Sequence, residues 1–213
     1  MKTDELIAML AAANTPVDPA APRRRTLLAL ALALPVSVLF TVAVLGVRPA
    51  LGSALLLPAF WVRELFCAAV SAGAALCAVR LAHPGCRLGR APLGVIVPVL
   101  VLWLLAVVLL AEAPPPARAS LLLGQTALVC PWLIALVSAP LFFAFLWLTR
   151  QMAPTRLRLA GAAAGLAAGA LGALVYTLHC PELAPSFLAI WYVLGMLLPA
   201  LAGALLGPRV LRW

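Results

Sequence analysis

Charged side chains are scarce in this sequence: they make up 10% of its 213 residues, and only six residues are Asp or Glu. Soluble domains usually carry about a quarter charged residues, whereas 66% of this chain is apolar. Only about the first 25 residues and a few short loops lie outside long apolar runs, which excludes a conventional globular domain. The composition therefore predicts an integral membrane protein.

Motifs that carry enzymatic chemistry are also missing. The sequence has no nucleotide-binding glycine loop, no zincin helix, no CxxC pair and no Ser/His/Asp arrangement, and its two histidines are His83 and His179. We therefore expect a protein that is not an enzyme and that holds no resident cofactor. The basic residues stand at the ends of apolar runs without an interleaved aromatic face, so we expect no direct binding of nucleic acid.

Six apolar runs are long enough to cross a bilayer, because a spanning helix needs about 20 residues. They predict an all-α membrane bundle of six transmembrane helices that follows a short N-terminal amphipathic helix. The predicted spans cover residues 26–47, 60–81, 93–111, 127–148, 159–178 and 187–206. The predicted domains are an N-terminal segment (1–25), the transmembrane domain (26–207) and a tail (208–213).

The distribution of basic residues predicts the orientation of these spans. Of the 15 Lys and Arg residues, twelve fall on the side of the two termini and three, Arg48, Arg63 and Arg118, fall on the other side. The positive-inside rule therefore places both termini in the cytoplasm. Arg63 and Glu64 lie near the outer end of the second span, where we expect them to be interfacial anchors.

The first residues predict a helix that lies outside the membrane. Thr3 can cap this helix, and two acidic residues occupy its first turn. Three prolines between residues 14 and 22 then predict an extended linker, which is followed by Arg23, Arg24 and Arg25. We expect the helix to dock into a groove on a partner through an apolar anchor and acidic steering residues. These residues are Asp4, Glu5, Leu6, Ile7 and Leu10.

Small residues repeat along one face of the fifth predicted span. Gly161, Gly165 and Gly169 are spaced every fourth residue, which lays a strip of bare backbone along the helix. Such strips are the usual way in which membrane helices approach each other closely. We interpret these glycines as a packing surface and not as a ligand site.

Cys130 and Cys180 differ from the other cysteines because each precedes a proline and each falls at the outer face of the predicted bundle. The loop between the fourth and fifth spans centres near Pro154, so the two cysteines lie at depths that agree within about 3 Å. A disulfide would need Cα atoms within about 6.8 Å, which is possible if both residues face the shared interface. The spacing leaves a functional pair and a coincidence equally open.

Other donors near the cysteines are few. His179 adds a third donor beside Cys180, but three ligands are too few for a closed zinc site, so a transient soft-metal site is easier to defend. Nothing near Cys67, Cys77 or Cys86 would lower a thiol pKa or complete a metal site. We expect these three to be small apolar residues or plain thiols.

Five stretches of the chain carry a specific pattern: MKTDELIAML, the RRR before the first span, CPWLIAL, APTRLRLAGAAAGLAAGALGALVYTLHCPE and the closing WYVLGMLLPALAGALLGPRVLRW. Together they resemble the NrsF-type membrane anti-sigma factors of proteobacteria. The resemblance covers essentially the whole chain, and its most specific parts are LHCPE and the closing segment.

The resemblance implies a multi-pass protein of the bacterial inner membrane that holds an extracytoplasmic-function sigma factor and releases it under periplasmic metal or oxidative stress. Cys130 and Cys180 match the two periplasmic cysteines that the family links to sensing. The stretch around Asp4, Glu5, Leu6 and Ile7 matches the part that engages the sigma factor. We expect the signal to pass through the fourth and fifth spans. The identity of the sigma factor, the nature of the inducer, disulfide formation and the oligomeric state stay open.

Two other functions remain compatible with the residues alone. The first is a small transporter or channel for a metal or thiol-reactive solute, although transporters usually carry ionisable groups at mid-depth and these are scarce here. The second is a membrane thiol oxidoreductase, which the missing CxxC pair disfavours.

Overall fold

The chain is helical throughout in the computed structural model, which describes residues 3–12, 20–49, 51–83 and 85–212. No strand occurs within these ranges, so the prediction of an all-α fold is confirmed. The helices are α1 (Thr3–Ala12), α2 (Ala21–Phe40), α3 (Leu51–Ala54), α4 (Pro58–Ala82), α5 (Leu93–Glu112), α6 (Pro115–Leu123), α7 (Cys130–Val137), α8 (Ala139–Arg150), α9 (Leu157–Tyr176), α10 (Pro185–Phe187) and α11 (Val193–Val210). Two π-helical segments, Thr41–Leu45 and Leu188–Tyr192, extend α2 and join α10 to α11.

Five helical stretches of the described chain are long and apolar enough to cross a membrane: Ala21–Leu45, Pro58–Ala82, Leu93–Glu112, Leu157–Tyr176 and Pro185–Val210. They overlap the first, second, third, fifth and sixth predicted spans. The first of them begins earlier than predicted, because Pro22 in its first turn needs no hydrogen-bond partner for its nitrogen. Ala21 and Pro22 are therefore helical, whereas residues 14–19 of the predicted linker lie outside the described residues. The last stretch continues into the predicted tail as far as Val210.

The fourth predicted span is a broken helix. Helices α7 and α8 meet at Ser138 with a bend of 50°. Pro140 in the first turn of α8 has no N–H to continue the hydrogen-bond ladder, and the Ser138 hydroxyl donates to the Ala135 carbonyl oxygen at 2.8 Å. The prediction of one continuous helix over residues 127–148 is therefore wrong at Ser138. The structure has a sixth span only if the bent pair counts as one.

Helix α9 lies at the centre of the bundle and packs against α4, α8 and α11. Its glycine strip faces α11: a Cβ atom on Gly161 would overlap the carbonyl oxygen of Gly203, and one on Gly165 would overlap that of Pro199. A Cβ atom on Gly169 would lie 2.8 Å from the Met196 carbonyl oxygen. The two backbones are thus in direct contact along more than two turns of α9.

Cys130 and Cys180 lie at the same end of the bundle, which we call the thiol end. It is formed by the segment after α2, the start of α4, helix α6 and the loops that flank Cys130 and Cys180. The opposite end carries Arg150 at the end of α8, Arg158 at the start of α9 and Arg209 near the end of α11.

Candidate functional site

The thiols of Cys130 and Cys180 share one buried site at the thiol end. Both residues are 0% exposed, both are reduced, and both belong to one hydrophobic cluster. The Cys130 thiol lies within hydrogen-bonding reach of the Cys180 sulfur. Cys67 belongs to the same cluster, Cys77 is buried elsewhere on α4, and Cys86 is exposed.

Proline and the helix ends around it position the two sulfur atoms. The N–H of Cys130 donates to the Thr126 carbonyl oxygen at 2.9 Å, and Pro131 follows in the first turn of α7. After α9 ends at Tyr176, the N–H of Cys180 donates back to the Tyr176 carbonyl oxygen at 3.1 Å. Pro181 cannot continue that turn, so the chain leaves the helix immediately after the thiol.

Arg63 of α4 holds the turn that carries Cys180. Its Nη1 atom donates to the carbonyl oxygens of Cys180 and Glu182, each at 3.0 Å, and Nη2 donates to that of Thr177 at 3.2 Å. The side chain is 0% exposed and lies 3.4 Å from the Glu64 carboxylate. The expectation that Arg63 is an interfacial anchor is therefore wrong: burial among backbone carbonyls makes it part of this site.

The segment after α2 is tied to the same turn. The backbone N–H of Arg48 donates to the Leu178 carbonyl oxygen at 3.0 Å, and its Nη1 donates to that of Cys180 at 3.2 Å. The His179 ring lies against Gly46, with Nδ1 3.0 Å from the Gly46 carbonyl oxygen. Because a carbonyl oxygen only accepts, Nδ1 carries the proton and Nε2 is left as the only possible metal ligand of this ring.

Glu182 connects the two cysteine-bearing loops. Its Oε1 accepts a hydrogen bond of 2.7 Å from the N–H of Gln125, in the turn that leads to Cys130. A Cβ atom on Gly124 would lie 2.6 Å from the same oxygen, and the φ of Gly124 is +51°, which glycine adopts without strain. The loop that carries Cys180 therefore fixes the approach to Cys130.

Unpaired polar atoms are concentrated around the thiols. Among the described residues, three buried side-chain atoms near the site have no hydrogen-bond partner: Arg48 Nε, Arg63 Nε and Thr126 Oγ1. The hydroxyls of Tyr176 and Tyr192 face the two thiols. Both tyrosines are 0% exposed and belong to the same cluster as the thiols. Buried polar groups are normally paired, so this concentration of donors marks a polar site inside an otherwise apolar bundle.

Hydrogen bonding and positive charge favour the thiolate form of Cys180, in the loop between α9 and α10. The hydrogen bond from the Cys130 thiol, against the opposing effect of burial, lowers the pKa of Cys180 to about 6. The backbone N–H of Glu182 and the charge of Arg63 act in the same direction. Thiolates are the nucleophilic and metal-binding form of cysteine, so the arrangement prepares Cys180 to react with soft metals and electrophiles.

The accessory ligand predicted at His179 directly precedes Cys180, and the predicted docking residues lie on α1. Among the described residues, no group of three or more His, Cys, Asp or Glu side chains could hold a metal ion. Asp4, Glu5, Leu6 and Ile7 are exposed on α1. Leu10 belongs to the same helix, and its side chain lies outside the described part of the chain.

Comparison with known proteins shows which family this chain belongs to. A family model described as "Negative regulator of sigma F" matches residues 10–213. The chain belongs to the NrsF family. It is 46% identical to the "Probable anti-sigma-F factor NrsF" of Azospira oryzae and 39% identical to the "Anti-sigma-F factor NrsF" of Caulobacter vibrioides, each over the full length of both chains. The resemblance seen in the sequence is thus confirmed, and no solved structure matches the chain.

Most of the residues that surround the thiols in this chain were not predicted from the sequence. The sequence did contain a signal for Arg63. Inserting an arginine into an apolar membrane segment costs free energy, so its presence there indicates a specific structural or functional role. Arg48, Glu182 and the two tyrosines have no comparable signal. Their role follows from contacts between distant parts of the chain, such as the 3.2 Å bond from Arg48 to the Cys180 carbonyl oxygen.

Proposed function

We propose that this chain is an anti-sigma factor of the bacterial inner membrane. It restrains an extracytoplasmic-function sigma factor and releases it when a periplasmic metal or oxidant reacts with Cys130 and Cys180. The observation that carries the proposal is the buried pairing of these two thiols, one of them favoured as thiolate, in a chain of the anti-sigma-F family.

The exposed surface of the helices supports a position within a bilayer. Large apolar side chains face outward on α2, α5 and α11, for example Leu32 at 71%, Leu104 at 65% and Leu205 at 73% exposure. In water such a surface would drive aggregation, whereas in a bilayer it contacts acyl chains. The excess of basic residues at the opposite end then puts the thiol end in the periplasm.

Two chemical inputs fit the thiol pair. A soft divalent metal would displace one proton from each thiol that is still protonated and form two metal–sulfur bonds. A two-electron oxidant would accept two electrons and the thiol protons while a sulfur–sulfur bond forms between Cys130 and Cys180. A disulfide draws the sulfur atoms together to about 2.05 Å, whereas a metal bonded to both sulfurs at about 2.3 Å fixes their separation at no more than about 4.6 Å.

The helix that binds the sigma factor in this proposal is α1, near the N-terminus. Ile7 and Met9 are 59% and 55% exposed on this helix, so an apolar face is available to a partner. Asp4 and Glu5 in the first turn add negative charge beside that face. A short amphipathic helix of this kind docks into grooves on partner proteins.

No contact of Arg63 supports the alternative of a transporter. Its guanidinium is engaged with three backbone carbonyl oxygens and the Glu64 carboxylate, and it lies against the Phe60 ring with 5.1 Å between Cζ and the ring centroid. A charge on a transport pathway would face a water-filled cavity instead. We therefore assign the buried charge to the sensing site.

Co-purification tests whether the chain binds a sigma factor. The detergent-solubilised chain with an affinity tag at its C-terminus should retain a sigma factor, and the same chain without residues 1–13 should not. The deletion leaves all spans intact, so its abundance in the membrane serves as the internal control. Absence of any sigma factor from the full-length sample would contradict the proposal.

Serine variants test the sensor. Cys130→Ser and Cys180→Ser should each remove the response of a sigma-dependent reporter to cadmium-like metals or to oxidants, without preventing membrane insertion. Cys77→Ser and Cys86→Ser are the matched controls, because neither thiol belongs to the cluster around Cys180. A double Cys130, Cys180 variant that still responded with a normal dose dependence would place the sensor elsewhere.

A further inference from the structure

The outer end of the first span is bonded to Cys180 and to the two residues that precede it. Three hydrogen bonds join these segments: Arg48 N–H to Leu178 O at 3.0 Å, Arg48 Nη1 to Cys180 O at 3.2 Å, and His179 Nδ1 to Gly46 O at 3.0 Å. They involve three consecutive residues, 178–180, so any movement of the Cys180 backbone acts on all three bonds. We call this set of bonds the first-span tie.

The rest of the first span is weakly held. Within α2 only Ala33 and Ser37 are buried, whereas α9 buries more than half of its 20 residues. Lipid acyl chains are as apolar as the side chains they contact, so an exposed helix gains little from moving toward or away from the bundle. The first-span tie, together with the partial packing of Val38, Phe40 and Leu45 against the cluster that contains the thiols, therefore fixes the outer end of this span.

The first span also carries a π-helical segment next to the tie. Its last turns, Thr41–Leu45, form a π-helical segment that ends at Gly46 with φ +81°. Pro35 removes a further backbone hydrogen bond within α2. Single π-helical turns and prolines are the places where membrane helices bend, and both are common at functional sites.

We propose that Arg48 and His179 couple the thiols to the first span, so that the signal leaves the site through α2 and not through the fourth and fifth spans. This inference rests on the proposed function. Reaction at Cys180 displaces residues 178–180, which breaks the first-span tie and releases the outer end of α2. The change in α2 reaches residues 20–25 at its other end, beyond which the chain leads to α1.

The neighbouring contacts favour this route over the one expected from the sequence. The glycine strip of α9 is in backbone contact with α11, which makes these two helices a rigid pair. The Cβ atom of Ser138 would lie 2.5 Å from a Cβ atom on Gly172, so the break in the fourth span is also tightly packed against α9. Of the elements bonded to the Cys180 turn, α2 is the one that both lacks such packing and leads to α1.

Two variants of His179 separate the bond from the bulk of the side chain. His179→Leu removes the donor to Gly46, whereas His179→Asn keeps an N–H at the position of Nδ1. We expect His179→Leu to raise sigma-dependent transcription without inducer by about threefold to tenfold, the effect of one lost hydrogen bond on a two-state equilibrium. His179→Asn should restore the restrained level, which a purely structural requirement for an imidazole would not.

Two variants of Arg48 provide an independent test of the same coupling. Arg48→Gln should raise uninduced transcription, and Arg48→Lys, which keeps the charge and one donor, should stay closer to the unmodified protein. Arg118→Gln is the matched control, because Arg118 is an exposed arginine of the same end that bonds only to Ala113, five residues away. Immunoblots of the membrane fraction establish that each variant accumulates.

The outcomes separate this inference from the proposed function. If the unmodified protein retains a sigma factor and responds through its thiols while His179→Leu and Arg48→Gln show unchanged basal and induced levels, the coupling through α2 is refuted alone. Full repression with lost induction in these variants would also refute it, because the tie would then not restrain the first span. If the unmodified protein retains no sigma factor, the proposed function itself fails.

Discussion

The guanidinium of Arg63 donates a hydrogen bond of 3.0 Å to the carbonyl oxygen of Cys180, so that a fully buried cation on α4 holds a turn that follows α9. The same guanidinium also donates hydrogen bonds to the carbonyl oxygens of Thr177 and Glu182. A single side chain thus determines the backbone path on both sides of the thiol.

Replacing Arg63 should destabilise the protein and disable the sensor. Arg63→Met leaves the Thr177 and Glu182 carbonyl oxygens without this donor, at a cost of about 1–3 kcal/mol for each group left unpaired, whereas the Cys180 carbonyl oxygen keeps its bond from Arg48. We expect the thermal unfolding midpoint in detergent, followed by tryptophan fluorescence, to fall clearly, and Arg63→Lys to recover part of the loss. Arg118→Met should leave the midpoint in place, since Arg118 is exposed and its bond is local. An unchanged midpoint in Arg63→Met would contradict this role.

The ionisation of Cys180 should be visible in its ultraviolet thiolate absorbance. The difference between the unmodified protein and Cys180→Ser should decrease as the pH falls through about 6, where the lowered pKa lies. Because the pKa is lowered on folding from its ordinary value of 9.0, the associated stability is fully present above pH 9.0 and is lost as the pH falls toward about 6. Cys130→Ala removes the donor and should raise the midpoint. A midpoint near 9.0 in the unmodified protein would rule out the proposed effect of Cys130.

Reporter fusions should confirm the orientation. Enzymes that are active only in the periplasm should work when fused after Ala113, at the end of α5, or after Glu182, in the loop that carries Cys180. They should fail after Gly89 or Met152, at the opposite end of the bundle. The reverse pattern would place the thiols in the cytoplasm, where disulfides rarely persist, and would remove the basis for periplasmic sensing.

The close approach of α9 to α11 can be tested with a matched pair of glycines. Gly161→Ala places a Cβ atom against the carbonyl oxygen of Gly203, and we expect a loss of about 1–3 kcal/mol in stability. Gly52→Ala in α3 meets nothing within 4 Å, so it should be neutral or stabilise the helix by up to about 1 kcal/mol. Equal unfolding midpoints for the two variants would show that the helices do not pack as described.

The apolar runs were sufficient to predict most of the helices, because the length of a spanning segment is set by the thickness of the bilayer. They could not predict the break at Ser138. A proline at the start of α8 is compatible with a kinked helix as well as with two helices, and the 50° bend depends on packing against α9. The start of α2 was predicted too late because the three arginines resemble a boundary in composition, although long basic side chains fit the first turns of a helix.

The thiol site was only partly accessible from the sequence. The depth argument placed Cys130 and Cys180 at one level, because rise per residue is a property of any helix. It could not give the rotation of each helix about its axis, on which the surroundings of the thiols depend. The roles of Arg48 and Glu182 arise from bonds that close loops of 132 and 57 residues, and no local pattern encodes such bonds.

The bend at Ser138 has a mechanical consequence for Cys130. Helix α7 has 8 residues and is therefore only about 12 Å long, with Cys130 at one end and the bend at the other. A displacement of Cys130 by about 2 Å corresponds to a rotation of α7 by only about 10° about the bend, given that length. Because Ser138 is packed against Gly172, the bend can serve as a fixed pivot for this rotation, with α8 left in place. In the reaction that we propose, Cys130 can therefore follow its partner sulfur without moving the half of the span that carries Arg150.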